Sequence, residues 1–247
     1  MGGGIDGCDR SKGEISVKCL IITGASAGIG LHTAQRFRDE GYTVINLSRR
    51  RCPIDAVSHI NCDLSAPGFL ETISSQLTPT LQEAEQIVLI HNAAKMENDT
   101  AVETPSNAFR AVLEVNLVGP NSLNYYVIPF MKAGSSVLYV GSTLSEKAVP
   151  GSYSYVVTKH AVIGMMRATT QDLAGRGIHT ACICPGFTDT EMLREHVPED
   201  AMEVVRGMSA FDRLIDPDEI AECLYWASGN PVINGSVLHA NLGQIER

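Results

Sequence analysis

Seven short apolar runs punctuate the chain, at 17–23, 42–47, 58–62, 86–91, 136–141, 178–184 and 236–240. Each is strand-sized and bounded by turn-forming residues. Between most of them lie segments of helical period, at 29–40, 66–77, 104–131, 154–175 and 217–228. Asp216-Pro217-Asp218-Glu219 reads as a helix start, with a capping acid, proline in the first turn and carboxylates at the positive end. Strands that are apolar almost throughout, alternating with helices, predict a parallel sheet buried on both faces. The expected fold is α/β: a single-domain Rossmann fold, a doubly wound parallel sheet of about seven strands with helices on both faces. One interval breaks the alternation. Residues 48–57, with Pro53 among them, are too few for a crossover helix, so a short loop is expected there.

Composition narrows the class. At 247 residues, 44% hydrophobic and 19% charged, the chain can bury one large core and is not disordered. It reads as one domain over 17–247 preceded by a tail over 1–16. A net charge of -9 argues against nucleic acid as a partner. No apolar run reaches the roughly 18 residues of a membrane span. The first residues lack the apolar core of a signal peptide, and Asp6 stands where myristoylation wants Ser or Thr. Seven cysteines without a Cys-x-x-Cys pair fit a reduced, cytoplasmic protein with no metal site. Cys182 and Cys184 flank one residue, so on a strand their side chains share a face.

Two stretches carry chemistry. After the first strand comes Thr23-Gly24-Ala25-Ser26-Ala27-Gly28-Ile29-Gly30, then a helical pattern. Glycines there allow a tight turn and let the backbone approach a pyrophosphate, while the helix N-terminus offers unpaired N–H groups. Farther on lies Tyr153-Ser154-Tyr155-Val156-Val157-Thr158-Lys159. On a helix, Tyr155 and Lys159 share a face, and Tyr153 does not. An ammonium beside a phenol favours the phenolate, which suits a group that passes a proton to or from an alcohol or carbonyl oxygen.

Gly-x-x-x-Gly-x-Gly and Tyr-x-x-x-Lys, in this order, resemble the short-chain dehydrogenase/reductase family, over roughly residues 17–243. The resemblance implies an NAD(P)-dependent oxidoreductase and a set of site residues. Ser142, thirteen residues before Tyr155, matches the serine that hydrogen-bonds the substrate oxygen. Asn116 in Leu113-Glu114-Val115-Asn116 matches the asparagine that helps hold a water linked to the lysine. Tyr155 and Lys159 match the proton donor and the residue that tunes it and binds the nicotinamide ribose. Gly24, Ser26, Gly28, Ile29 and Gly30 would cradle the diphosphate. Asp63 would accept from the adenine amine, with Leu64 against the ring. Asn92 and Ala93 match the middle of the family's Asn-Asn-Ala-Gly, while His91 and Ala94 depart from it. Pro185 and Gly186 match the turn beside the nicotinamide, and Thr188 and Thr190 the contacts to its carboxamide or the diphosphate.

The end of the second strand bears on NAD against NADP. NAD enzymes place an acid there for the ribose 2′-hydroxyl. Here Ser48 takes that position and Arg49 follows, with Arg50 next. A guanidinium can grip a 2′-phosphate, so NADP (NADPH) is expected and NAD less so.

The resemblance implies reduction of a carbonyl (a ketone, aldehyde or 3-oxoacyl group) to an alcohol, or the reverse. The alternative is a dinucleotide-sensing regulator or scaffold on the same fold. Residues 188–212 would form a lid, amphipathic through Met192, Leu193, Val197, Met202, Val205 and Met208. Arg194, His196 and Arg206 there can meet an acidic substrate or face water. The family also implies a homodimer or homotetramer built on the long helices and on the last helix and strand, where Trp226 lies at an interface or in the core.

Overall fold

The computed structural model describes residues 17–244, so the tail over 1–16 lies outside the described residues. Seven strands form one parallel sheet in the order β3-β2-β1-β4-β5-β6-β7. They are β1 Lys18–Thr23, β2 Thr43–Ser48, β3 Ser58–Asn61, β4 Gln86–His91, β5 Ser136–Val140, β6 His179–Pro185 and β7 Ser236–Ala240. The order reverses between β1 and β4. In such sheets the crevice at the strands' carboxyl ends there is where ligands bind.

Successive residues of β1 feed two separate cores. Cys19 and Ile21 join Leu47, Ile73, Leu77, Tyr139 and Met166 on one face. Leu20 and Ile22 join Phe37, Val44, Ile183, Ile220 and Leu224 on the other. This is why the strands read as unbroken apolar runs: both sides of the pleat are covered. The first core lies beneath α2 Phe69–Glu83, α4 Gly119–Val127 and α5 Tyr153–Asp172, the second beneath α1 Gly28–Asp39 and α8 Pro217–Ser228.

Several boundaries differ from the sequence pattern. The segment between β2 and β3 holds no helix, as expected. α2 starts at Phe69, three residues later than expected, and runs through Pro79 to Glu83. Pro79 is exposed, so the helix passes it on its solvent side, while Leu77 and Leu81 stay buried. The long segment 104–131 is not uniform. α3 Ser106–Leu113 passes into one π turn, Glu114–Val118, then into α4. Asn116 lies in that π turn, the kind of helical irregularity that concentrates at functional sites. α8 begins as read, with Asp216 and Glu219 forming a reciprocal capping box. No helix among the described residues is long and apolar enough to cross a membrane.

Candidate active site

The carboxyl ends of β1, β4, β5 and β6 and the loops that follow them gather most of the residues singled out by the sequence. Gly24 and Gly28 take left-handed backbone angles, φ 72° and 52°. Gly30 is forced by crowding: a Cβ there would lie 2.3 Å from the Gly24 carbonyl oxygen. Ala27 caps α1 without a side-chain acceptor, which leaves first-turn N–H groups for a ligand. Two residues given no site role from the sequence hold this turn. Asn46, buried in β2, accepts from the Ala25 N–H at 2.9 Å. Thr23 Oγ1 accepts from the N–H groups of Asn92 and Ala93, at 3.0 and 2.9 Å. The Asn92 amide in turn donates to the carbonyls of Thr23 and Gly24, at 2.9 and 3.1 Å. Thr190 closes the turn from the lid side, its methyl 3.0 Å from where a Cβ on Gly28 would stand. This Cβ-free cradle at a helix N-terminus fits a dinucleotide diphosphate.

Around the adenosine end, Asp63 is held below the usual carboxylate range by the Ser65 hydroxyl, then by the Ser65 N–H, with Arg49 nearby adding to it. Leu64 is buried against Gly119. Ser48 is committed locally: its hydroxyl donates to the Arg50 carbonyl at 2.5 Å and accepts from Asn46. Arg50 pairs with Glu191 of α6 Glu191–His196 at 2.8 Å. Arg49 is exposed at the strand end.

The second cluster surrounds Tyr155. Tyr155 and Lys159 are both buried, and the ammonium lies 5.3 Å from the centre of the phenol ring. Lys159 Nζ donates to the Val140 carbonyl at 2.7 Å, tying α5 to the end of β5. Ser142 follows two residues on. Its Oγ accepts from the Leu144 N–H at 3.1 Å, which leaves its O–H to donate outward. Gly141 between them is required, since a Cβ there would stand 2.6 Å from Cys184 Sγ and 2.8 Å from Cys182 Sγ. Those sulfurs are 3.8 Å apart on one face of β6. The contact with Cys184, then burial, pushes the Cys182 thiol's pKa up.

Asn116 is fully engaged through its side-chain amide. It donates to the Lys95 carbonyl and to Thr158 Oγ1, both at 2.9 Å, and accepts from the Lys95 N–H at 2.7 Å. It thereby clamps the strand-end loop onto the helix that carries Tyr155. The start of that helix is capped from the same loop, by Asp99 accepting from the Ser154 N–H at 3.0 Å. Thr158 and Asp99 were not legible as site residues. Their partners lie 42 and 55 residues away in sequence.

On the remaining wall, Pro185 ends β6, and Gly186 packs against Asn241, whose Cα a Cβ at Gly186 would meet at 3.0 Å. Thr188 is buried, its hydroxyl donating to the Gly186 carbonyl at 3.1 Å. Thr190 caps α6. Ser26 and Ile29 sit half-buried in the glycine turn and the first turn of α1. In the lid, Met202 and Val205 of α7 Met202–Arg206 are buried, so that part of the amphipathic pattern is packing. Arg194 is bound by Asp189, and His196 lies 2.9 Å from the Met192 carbonyl and 3.3 Å from that of Met96. Tyr153 is exposed and stacks on Phe109.

A family model described as enoyl-(acyl carrier protein) reductase matches residues 24–244. The 3-oxoacyl-[acyl-carrier-protein] reductase FabG of Thermotoga maritima is 28% identical over 243 residues, covering 92% of this chain and 98% of that protein. The ligand-free aldohexose dehydrogenase of Thermoplasma acidophilum superposes with a TM-score of 0.84 at 26% identity, over 92% of this chain and 94% of that one. A 4-hydroxyisoleucine dehydrogenase complexed with NADH superposes at 0.83 and 24% identity, over 92% and 98%, a likeness of fold alone. The chain belongs to the short-chain dehydrogenase/reductase family and is an oxidoreductase of that fold.

Proposed function

We propose that this protein reduces a ketone, aldehyde or 3-oxoacyl carbonyl to an alcohol with NADPH, or runs the reverse reaction. The observation that carries the reading is the buried Lys159 ammonium, held on the Val140 carbonyl at 2.7 Å with Tyr155 one helical turn away and Ser142 just beyond. When bound, the nicotinamide supplies or accepts the hydride at the carbonyl carbon. Ser142 donates a hydrogen bond to the carbonyl oxygen and stabilises the charge that gathers there. Tyr155 delivers the proton to that oxygen, and Lys159 favours the resulting phenolate by its charge. Asn116 holds the loop and α5 in register. A relative named as a 3-oxoacyl reductase supports the 3-oxoacyl option.

The preference for NADP rests on Arg49, exposed at the end of β2 where no acid stands. The choice is put to direct titration. NADPH and NADH are titrated in parallel into wild type and Arg49→Ala. Tighter binding of NADPH that weakens selectively in the variant supports the reading. Equal binding, unchanged by the substitution, removes the 2′-phosphate assignment, and binding of neither favours the regulator or scaffold alternative. Oxidation of NADPH is then followed against a panel of ketones, aldehydes and 3-oxoacyl thioesters.

The same reading includes self-association into a dimer or tetramer. Tyr125 of α4 is 80% exposed, and Trp226 of α8 is 51% exposed and so not a core residue. Both lie on the helices that would meet a second copy, and sedimentation tests it. The buried, unpaired thiols favour a reducing compartment such as the cytoplasm.

A further inference from the structure

His91 stands at the end of β4, where the family carries an asparagine. It is buried, and its ring lies 4.9 Å from that of Tyr139 at a tilt of 34°. Burial holds its pKa down to about 4, so the imidazole is neutral near pH 7. One nitrogen then donates and the other accepts.

A directed chain of hydrogen bonds fixes which is which. Thr169 gives its hydroxyl proton to the Met165 carbonyl at 2.9 Å. In its 3.2 Å contact with Tyr139, Thr169 must therefore accept, and the Tyr139 O–H donates. Tyr139 oxygen accepts from the Asn124 amide nitrogen at 2.7 Å. That orientation leaves Asn124 Oδ1 facing His91 Nε2 at 2.8 Å, so Nε2 carries the proton. Nδ1 is then a bare acceptor. It is buried and has no hydrogen-bond partner in the protein. A buried acceptor left unpaired costs about 1–3 kcal/mol, so a partner is expected.

The space for one is present. His91, Tyr139, Asn116, Val140, Pro120 and Lys159 line a cavity of about 10 Å3, close to the smallest volume that holds one water. Lys159 has three N–H donors and spends one on Val140. Both Asn116 amide protons are already used. Among the side chains lining the cavity, His91 Nδ1 and the Lys159 ammonium are the complementary acceptor and donor.

We propose that His91 is a positioning residue: its Nδ1 is a further holder of the buried water that the family resemblance links to Lys159, and so fixes and solvates the ammonium behind Tyr155. This rests on the reading of Lys159 as the partner of Tyr155, but its test needs neither cofactor nor substrate. The water keeps a buried ammonium hydrated on the side away from the phenol. Without it the charged lysine is less favourable, and so is the phenolate beside it.

The first test is a high-resolution crystal structure of the unliganded protein, with nitrogen NMR of the His91 ring. One ordered water within hydrogen-bond reach of both Nδ1 and Lys159 Nζ, and a proton on Nε2, are the expected results. A dry cavity, or a proton on Nδ1, would overturn the proposal. The second test is His91→Phe, which keeps the ring and removes Nδ1. The ultraviolet titration of the Tyr155 phenol, isolated by subtracting Tyr155→Phe in each background, should move to higher pH. A folded His91→Phe protein with an unmoved titration also overturns it. Should that variant not fold, the wild-type structure and spectra decide alone.

Discussion

Lys159 Nζ donates to the main-chain carbonyl of Val140 at 2.7 Å, across the junction of α5 and β5. This bond ties a buried positive charge on the helix that carries Tyr155 to the strand end two positions before Ser142. Removing it separates the chemical from the structural contribution. Tyr155→Phe should lower turnover by about 10^2–10^4-fold, the range of a lost general acid, with an unchanged melting temperature. Lys159→Met should lower turnover similarly and also destabilise by about 1–3 kcal/mol, because the Val140 carbonyl loses its partner. Steady-state kinetics beside thermal unfolding would read both. A Lys159→Met protein with normal turnover would dismiss the proposed role.

Cofactor choice should be reversible at one position. Ser48 ends β2 where a carboxylate would meet a ribose 2′-hydroxyl. Ser48→Asp should weaken NADPH binding by about tenfold or more through charge repulsion and leave or improve NADH binding. Calorimetry with the two cofactors measures the ratio, and an unaltered ratio would remove the end of β2 from the specificity site.

Gly141→Ala should be costly for a reason that can be undone. Its Cβ would stand 2.6 and 2.8 Å from two buried sulfurs, so a loss of about 1–3 kcal/mol is expected. Cys184→Ala or Cys182→Ala should each relieve it in part, and the triple variant most. A double-mutant cycle by denaturant unfolding gives the coupling; purely additive effects would show that the contact is not the cause.

A pH-dependent part of the stability should trace to the start of α8. Hydrogen bonding by Arg213, then by the Asp216 N–H, lowers the Glu219 carboxyl to about 2 from its ordinary value of 4.5. The unfolded chain therefore binds the proton more readily than the folded one. The stabilisation is present above about pH 4.5 and is lost as pH falls toward 2. Both side chains are partly exposed, which keeps the effect small by solvent screening. Glu219→Gln should melt lower than wild type at pH 7, and the two should converge in acid. A gap that persists unchanged at about pH 2–3 would point to lost packing instead.

The strands, the glycine turn, the Tyr155–Lys159 pair and the capped start of α8 were readable because each depends on local period or short spacing. Strand burial on both faces, a one-turn helical offset and a capping box all leave their marks within a few residues. The clamp of Asn116 on Lys95 and Thr158, the Asp99 cap on α5, the need for glycine at 141 and the direction of the His91–Asn124–Tyr139–Thr169 chain left none. Each joins groups far apart in sequence, and a side chain's hydrogen-bond partner and its burial are properties of what the fold packs beside it. The same division explains α2: a proline suggests an end to the helix, but only the packed structure decides that Pro79 lies on the exposed side of a helix that continues to Glu83. By itself, the sequence determined the sheet and the shared helix face of Tyr155 and Lys159. The tertiary structure decided what holds that pair in place.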